Sequence, residues 1–365
     1  MSIQIPDNEQ LTTKELGRVF ERNRTTATYK FYWFLALIDA FVGQRKTEIS
    51  IKDLTIGMVA HAWYTINYFK LSFGNSDSLH EVVYHLQKKL RIPMDFSKAD
   101  VFDCIKHDEN EKDVAQCLKK LENYVPFHFL SPWIQFISKE EVILRSQRLE
   151  NKCLYSICKK NEEFYVVINP AWHDYLNAHH HILKDFTYWN LTQFLEIRNP
   201  NVPNISNKLI RPDKRDAMKK QHDFWNCIMQ KNQGIKCIYT GKSLEVKEYE
   251  LDHFIPWSFV THNQLWNLIP SDSSINSIKN DKIPNLKIFL PNLAREHRVA
   301  LNTIVQNGEL EKKFKHLIED YSTIGTIDNL LVLSQADFEK KFYEIFEPLA
   351  QTALNMGFEP WTLGD

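Results

Sequence analysis

The stretch NPNVPNISNKLIRP, residues 199–212, constrains the fold more than any other feature of the chain. It holds Pro200, Pro203 and Pro212 among four asparagines. Proline lacks the backbone N–H that helix interiors and inner strands need, which makes this the best linker candidate in the chain. It predicts a linker over 196–212. With 365 residues there is enough chain for two or three domains.

The part before it reads as helical. In TTATYKFYWFLALIDAF apolar residues cover most of the helical circumference, as in a central helix buried on all sides. Thr25, Thr26 and Thr28 offer N-caps for it. A second apolar helix follows around IGMVAHAWYTINYF, where His61 reads as a hydrogen-bonded core residue. Residues 97–124 continue as helix with a charged face. NKCLYSICKKNEEFYVVINPAW then changes texture: two aromatic and β-branched runs around a polar turn predict a β-hairpin within 152–169. The three consecutive histidines 179–181 cannot converge on one ion from a helix, because neighbours point about 100° apart.

The formal net charge of −1 gives no global signal for nucleic acid, but basic charge is concentrated locally. Lys208, Arg211, Lys214, Arg215, Lys219 and Lys220 face only Asp213 and Asp216. The helix that follows turns Met218, Phe224, Trp225 and Ile228 toward a core. The six cysteines form no CxxC pair and predict free thiols in a reducing compartment. The polar start MSIQIPDNEQ carries no secretory pattern, and the longest apolar run, at 31–42, is too short to span a bilayer. A soluble, cytoplasmic protein without a membrane association is expected.

Residues 237–284 carry the chemistry. CIYTGKS contains a Thr-Gly turn, YELDHFI reads as the strand returning from it, and Pro256 ends that strand. SDSSINSIKNDKIP reads as a short helix capped by Asp272, Ser273 or Ser274. Ile275 and Ile278 are expected to pack on the hairpin, with Asn276, Lys279 and Asn280 on the other side. An aspartate and a histidine side by side in an apolar strand need partners, since an unpaired buried charge is costly. Asn276, presented by a docked helix, is a suitable one.

This segment resembles the HNH, or ββα-metal, nuclease motif. It is especially similar to the HNH domain of RNA-guided CRISPR effector nucleases. The resemblance rests on Asp252-His253-Phe254-Ile255-Pro256-Trp257-Ser258-Phe259, then Asn267, then Asn276-Ser277-Ile278-Lys279-Asn280-Asp281. It implies that Asp252 and Asn276 bind a divalent metal, that His253 is the general base, and that Asn267 holds the loop and orients His253. Lys279 and Lys282 would contact phosphate, with Lys219 and Lys220 adding backbone affinity. Oxygen ligands favour Mg²⁺, with Mn²⁺ as a substitute. Many such domains carry a zinc held by two CxxC pairs, which this sequence lacks, so no structural zinc is expected.

The fold class expected is mainly helical α+β, with a small ββα nuclease unit. The divisions are a helical domain over 1–195, the linker, a nuclease domain over 213–290 and a helical extension over 291–365. A compact nuclease joined to a large unrelated module resembles bacterial restriction and anti-phage effectors, acting on DNA, with RNA not excluded. Two other readings stay open: a DNA-binding module that no longer cuts, and an effector subunit activated by a sensor partner through the N-terminal half. Oligomerisation is left open.

Overall fold

The computed structural model describes residues 3–21, 25–211, 217–232 and 235–364. The chain forms two compact units: Met1–Pro200 with Ile205–Arg211, and Asn201–Asn204 with Pro212–Asp365. Helices dominate both, and the sheets are small, giving a mainly helical α+β protein. No helix among the described residues is long and apolar enough to cross a membrane.

The N-terminal unit runs α1 (Thr13–Arg18), α2 (Tyr29–Ile38), β1 (Glu48–Ser50), α3 (Ile51–Asn67), α4 (Ser78–Leu90), α5 (Lys98–His107), α6 (Lys112–Glu122), α7 (Val125–Phe129), α8 (Lys139–Ser146), β2 (Tyr155–Lys160), β3 (Glu163–Ile168) and α9 (His173–Glu196). Every residue of α2 from Lys30 to Ile38 is buried, as its all-round apolar surface requires. It packs closely on α3 at Gly57, where a Cβ would come within 3.0 Å of the Ala36 Cβ. None of the three threonines caps α2 through its side chain. Thr28 stands at the N-cap, but Asp77, 49 residues on, accepts from its N–H at 2.6 Å and its hydroxyl at 2.8 Å. Asp77 also caps α4, accepting from Leu79 N–H at 3.0 Å. His61 is held on α3 with Nε2 3.0 Å from the Asp39 carboxylate.

The β2–β3 hairpin turns through Asn161 and Glu162, both with positive φ (48° and 70°), as a tight two-residue hairpin demands. β1 joins its other edge, giving a three-stranded antiparallel sheet of order β1-β3-β2. Part of the expected linker is packed rather than exposed. Ile205, Lys208 and Leu209 are buried in the N-terminal unit. Asn199 is fixed there too: its amide accepts from Ser72 N–H and donates to the Ser72 and Leu195 carbonyls, each at 2.8–2.9 Å.

The C-terminal unit runs α10 (Lys219–Lys231), β4 (Ile235–Lys236), β5 (Ser243–Leu244), β6 (Glu250–His253), α11 (Trp257–Val260), β7 (Leu268–Ser271), α12 (Ser273–Lys279), β8 (Ile283–Pro284), α13 (Leu286–Val305), α14 (Gly308–Ile318), α15 (Ile327–Val332), α16 (Gln335–Asn355) and β9 (Pro360–Trp361). One hydrophobic core joins α10, the strands and α13–α16, from Phe224 through Ile255 and Trp266 to Phe346 and Trp361. The loop after β6 is braced by distant aromatics: Trp266 meets Phe346 edge-on at 5.3 Å, and Phe259 meets Phe358 at 5.8 Å.

Strand pairing here corrects the sequence expectation. YELDHFI does not pair with CIYTGKS. The CIYTGKS segment turns back locally within β4–β5, while β6 pairs antiparallel with β7, the LIPS run, to which the sequence reading assigns no element. Pro270, opposite Leu251, masks that strand; a two-stranded ribbon tolerates proline because it has an open edge. The α12 faces also differ. Ile275 packs on the core, but Ile278 is 52% exposed and Lys279 takes the buried position one turn from Ile275.

Candidate active site

β6 places Asp252 and His253 at the rim of a cleft of about 420 Å³, which Glu250, Asn263, Asn276 and Asp281 also line. Asp252 is 3% exposed, and both of its oxygens are engaged. Oδ1 accepts from the Lys279 ammonium at 2.8 Å, and Oδ2 accepts from the Tyr239 hydroxyl at 2.5 Å. Burial pushes the Asp252 carboxyl above its ordinary range, while Lys279 and Tyr239 pull it back toward the ionised form. Lys279 donates also to the His253 carbonyl at 2.8 Å, so one ammonium ties α12 to both residues. A carboxylate has about four lone-pair sites, so two accepted hydrogen bonds leave it able to take a cation.

His253 is partly buried. Its Nε2 lies 2.9 Å from the Asn263 side-chain oxygen. A carbonyl oxygen only accepts, so Nε2 carries the hydrogen and Nδ1 is the basic nitrogen. Asn267 does something else. Fully buried, it accepts from Ile255 N–H and donates to the Ile255 carbonyl, both at 2.9 Å, and its own backbone carbonyl accepts from Phe254 N–H at 2.8 Å. It locks the turn that follows β6, with both ends of its amide committed to Ile255. The side chain that meets the His253 ring is that of Asn263, ten residues from the histidine, and not that of Asn267.

Asn276 stands in the first turn of α12, whose N-terminus Asp272 caps by accepting from Ser274 N–H at 2.9 Å. Its Nδ2 donates to Glu250 Oε2 at 2.8 Å. The structure thus gathers Asp252, His253 and Asn276 around one cleft and keeps Asn267 beneath it.

The lysines divide. Lys279 is wholly buried and paired, so it is not the exposed phosphate contact expected of it. Lys282 is half-buried in the turn after α12. Lys219 and Lys220 are exposed in the first turn of α10, and Arg211 is exposed as well. Lys208 is buried and leaves the basic run; Lys214 and Arg215 lie outside the described residues.

Besides the His222 and His253 imidazoles, the donors on the cleft are largely carboxylate and amide oxygens, which fit a hard divalent cation completed by water and phosphate. Among the described residues no group of three or more His, Cys, Asp or Glu is placed to hold a metal. All six cysteines are free, and Cys237 is buried with Sγ 3.8 Å from the Ser271 hydroxyl.

An acid and an imidazole adjacent on one strand of a ribbon thus share a cleft with an amide from the next helix. Residues 237–285 match the family model described as HNH endonuclease, and this unit carries an HNH endonuclease domain. The chain is 34% identical over 89 residues to the CRISPR-associated endonuclease Cas9 of Listeria innocua, covering 23% of this chain and 6% of that protein. The similarity is therefore confined to a small part of that relative. No solved structure matches the chain.

Tyr239, Glu250 and Asn263 join the site without standing out in the sequence. Glu250 is open to detection, because residues two apart on a strand share a face and Asp252 is already assigned. The other two act across turns whose geometry no spacing rule supplies.

Proposed function

We propose that the C-terminal unit is a Mg²⁺-dependent HNH endonuclease hydrolysing DNA phosphodiesters, and that the protein is a cytoplasmic restriction or anti-phage effector. The observation that carries the chemistry is the convergence of Asp252, His253 and Asn276 on one cleft. Asp252 and Asn276 would hold the cation through oxygen atoms. When bound, it neutralises charge on the phosphate and the departing oxygen. His253, its tautomer set by Asn263, takes the proton from the attacking water at Nδ1. Lys279 and Tyr239 keep the Asp252 carboxylate in place, and Asn267 keeps the loop closed beneath it. Lys219 and Lys220 would add sequence-independent attraction to the phosphate backbone. The N-terminal unit would recognise a target or a sensor partner.

The test is cleavage of plasmid DNA by the purified chain with Mg²⁺. His253→Ala and Asn276→Ala should each lower the rate by at least about 100-fold, with circular dichroism unchanged. Wild-type rates in either variant would overturn the assignment.

A further inference from the structure

Asn276 is an amide, and only one of its ends can ligate a hard cation. Oδ1 carries lone pairs, whereas Nδ2 carries hydrogens. A side chain of this kind near solvent is free to present either end, so a site that uses it needs something to choose. The structure supplies the choice: Nδ2 donates to Glu250 Oε2 at 2.8 Å. A carboxylate accepts hydrogen bonds and cannot donate them, so the nitrogen must face Glu250 and Oδ1 lies on the opposite edge of the amide. Glu250 sits two residues before Asp252 on β6, and the strand alternation gives both side chains the same cleft.

We infer that Glu250 is a positioning residue, which fixes the amide of Asn276 with Oδ1 as its ligating atom. The inference rests on the metal-site reading above. It differs from two simpler accounts, in which Glu250 is itself a ligand or only an exposed hydrogen-bond partner. Chemistry at position 276 separates them. An aspartate there has two equivalent oxygens and needs no orientation, so its affinity for metal should be indifferent to the Glu250 contact. A glutamine at 250 loses the charge but keeps an oxygen that can accept from Asn276.

The experiment measures Mn²⁺ affinity of the full chain, without nucleic acid, from the electron paramagnetic resonance signal of free Mn²⁺. Glu250→Ala should weaken binding about tenfold, the range for removing a group that orients a ligand. Glu250→Gln should lie within about threefold of the unaltered chain, well short of that loss. In the Asn276→Asp background, Glu250→Ala should change affinity by less than about threefold. Equal losses for Glu250→Ala and Glu250→Gln, or equal losses in both backgrounds, would make Glu250 a ligand or a bare charge and overturn the positioning role. No loss at all would overturn it too. If the unaltered chain takes up no Mn²⁺, the metal-site reading has failed, and this role fails with it. Glu250 is exposed, so these substitutions leave the core untouched.

Discussion

Among the described residues each unit buries one lysine completely, and the two are handled in opposite ways. Lys279 in the C-terminal unit lies against the Asp252 carboxylate and the His253 carbonyl. Lys208 in the N-terminal unit has its ammonium 6.0 Å over the Phe69 ring, and burial pushes its pKa down to about 7. The first faces an opposite charge; burial shifts the second toward its neutral form. The contrast shows that burial of a lysine is not in itself a sign of function. What marks Lys279 is that its counter-ion is a residue of the cleft.

Breaking the paired case should have the largest effect. Lys279→Met strands a buried carboxylate and should cost about 3–5 kcal/mol in urea unfolding of the full chain. Adding Asp252→Asn should recover much of that stability while leaving cleavage abolished. If Lys279→Met alone were neutral, the pairing would carry no structural weight.

Lys208 is probed through pH. Its folded-state pKa of about 7 lies below the 10.5 of an unperturbed lysine. Below pH 7 both states hold the proton, and burial of the charge weighs against the folded form. Between about pH 7 and 10 the folded form sheds the proton first and the cost fades. Any stability gained by Lys208→Met should therefore be larger at pH 6 than at pH 10. Thermal unfolding across that range checks it; a gain that grew with pH would contradict the account.

The exposed lysines should show the smallest effect on stability. Lys219→Glu with Lys220→Glu should leave unfolding within about 0.5 kcal/mol of wild type. Binding to a DNA duplex should weaken, and the salt slope should fall by about two if both contact phosphate. An unchanged slope would remove these residues from the nucleic-acid surface.

The comparison also marks what can be read along the chain. The Asp252-His253 pair stands out because two titratable groups interrupt an apolar strand, whereas Asn267 and Asn276 are singled out by the resemblance to the HNH motif. The central helix at α2 and the β2–β3 hairpin follow from periodicity and turn chemistry. Lys279 does not follow, since an isolated lysine on a short helix reads as solvent-facing until Asp252, 27 residues earlier, is placed against it. β7 is hidden by its proline, and β1 by its length of three residues. The use of Asn263 rather than Asn267 at His253 depends on how the intervening loop folds back, which no local rule fixes.

Asp77 closes the start of α2 from 49 residues downstream while opening α4. The amide and hydroxyl of Thr28 reach this acceptor only after α3 has crossed and α4 has begun. Helix α2, apolar on every side, is thus not an autonomous seed. Its first turn is capped by a residue from a later part of the chain, so α2 in isolation would lack the acceptor it has in the native unit.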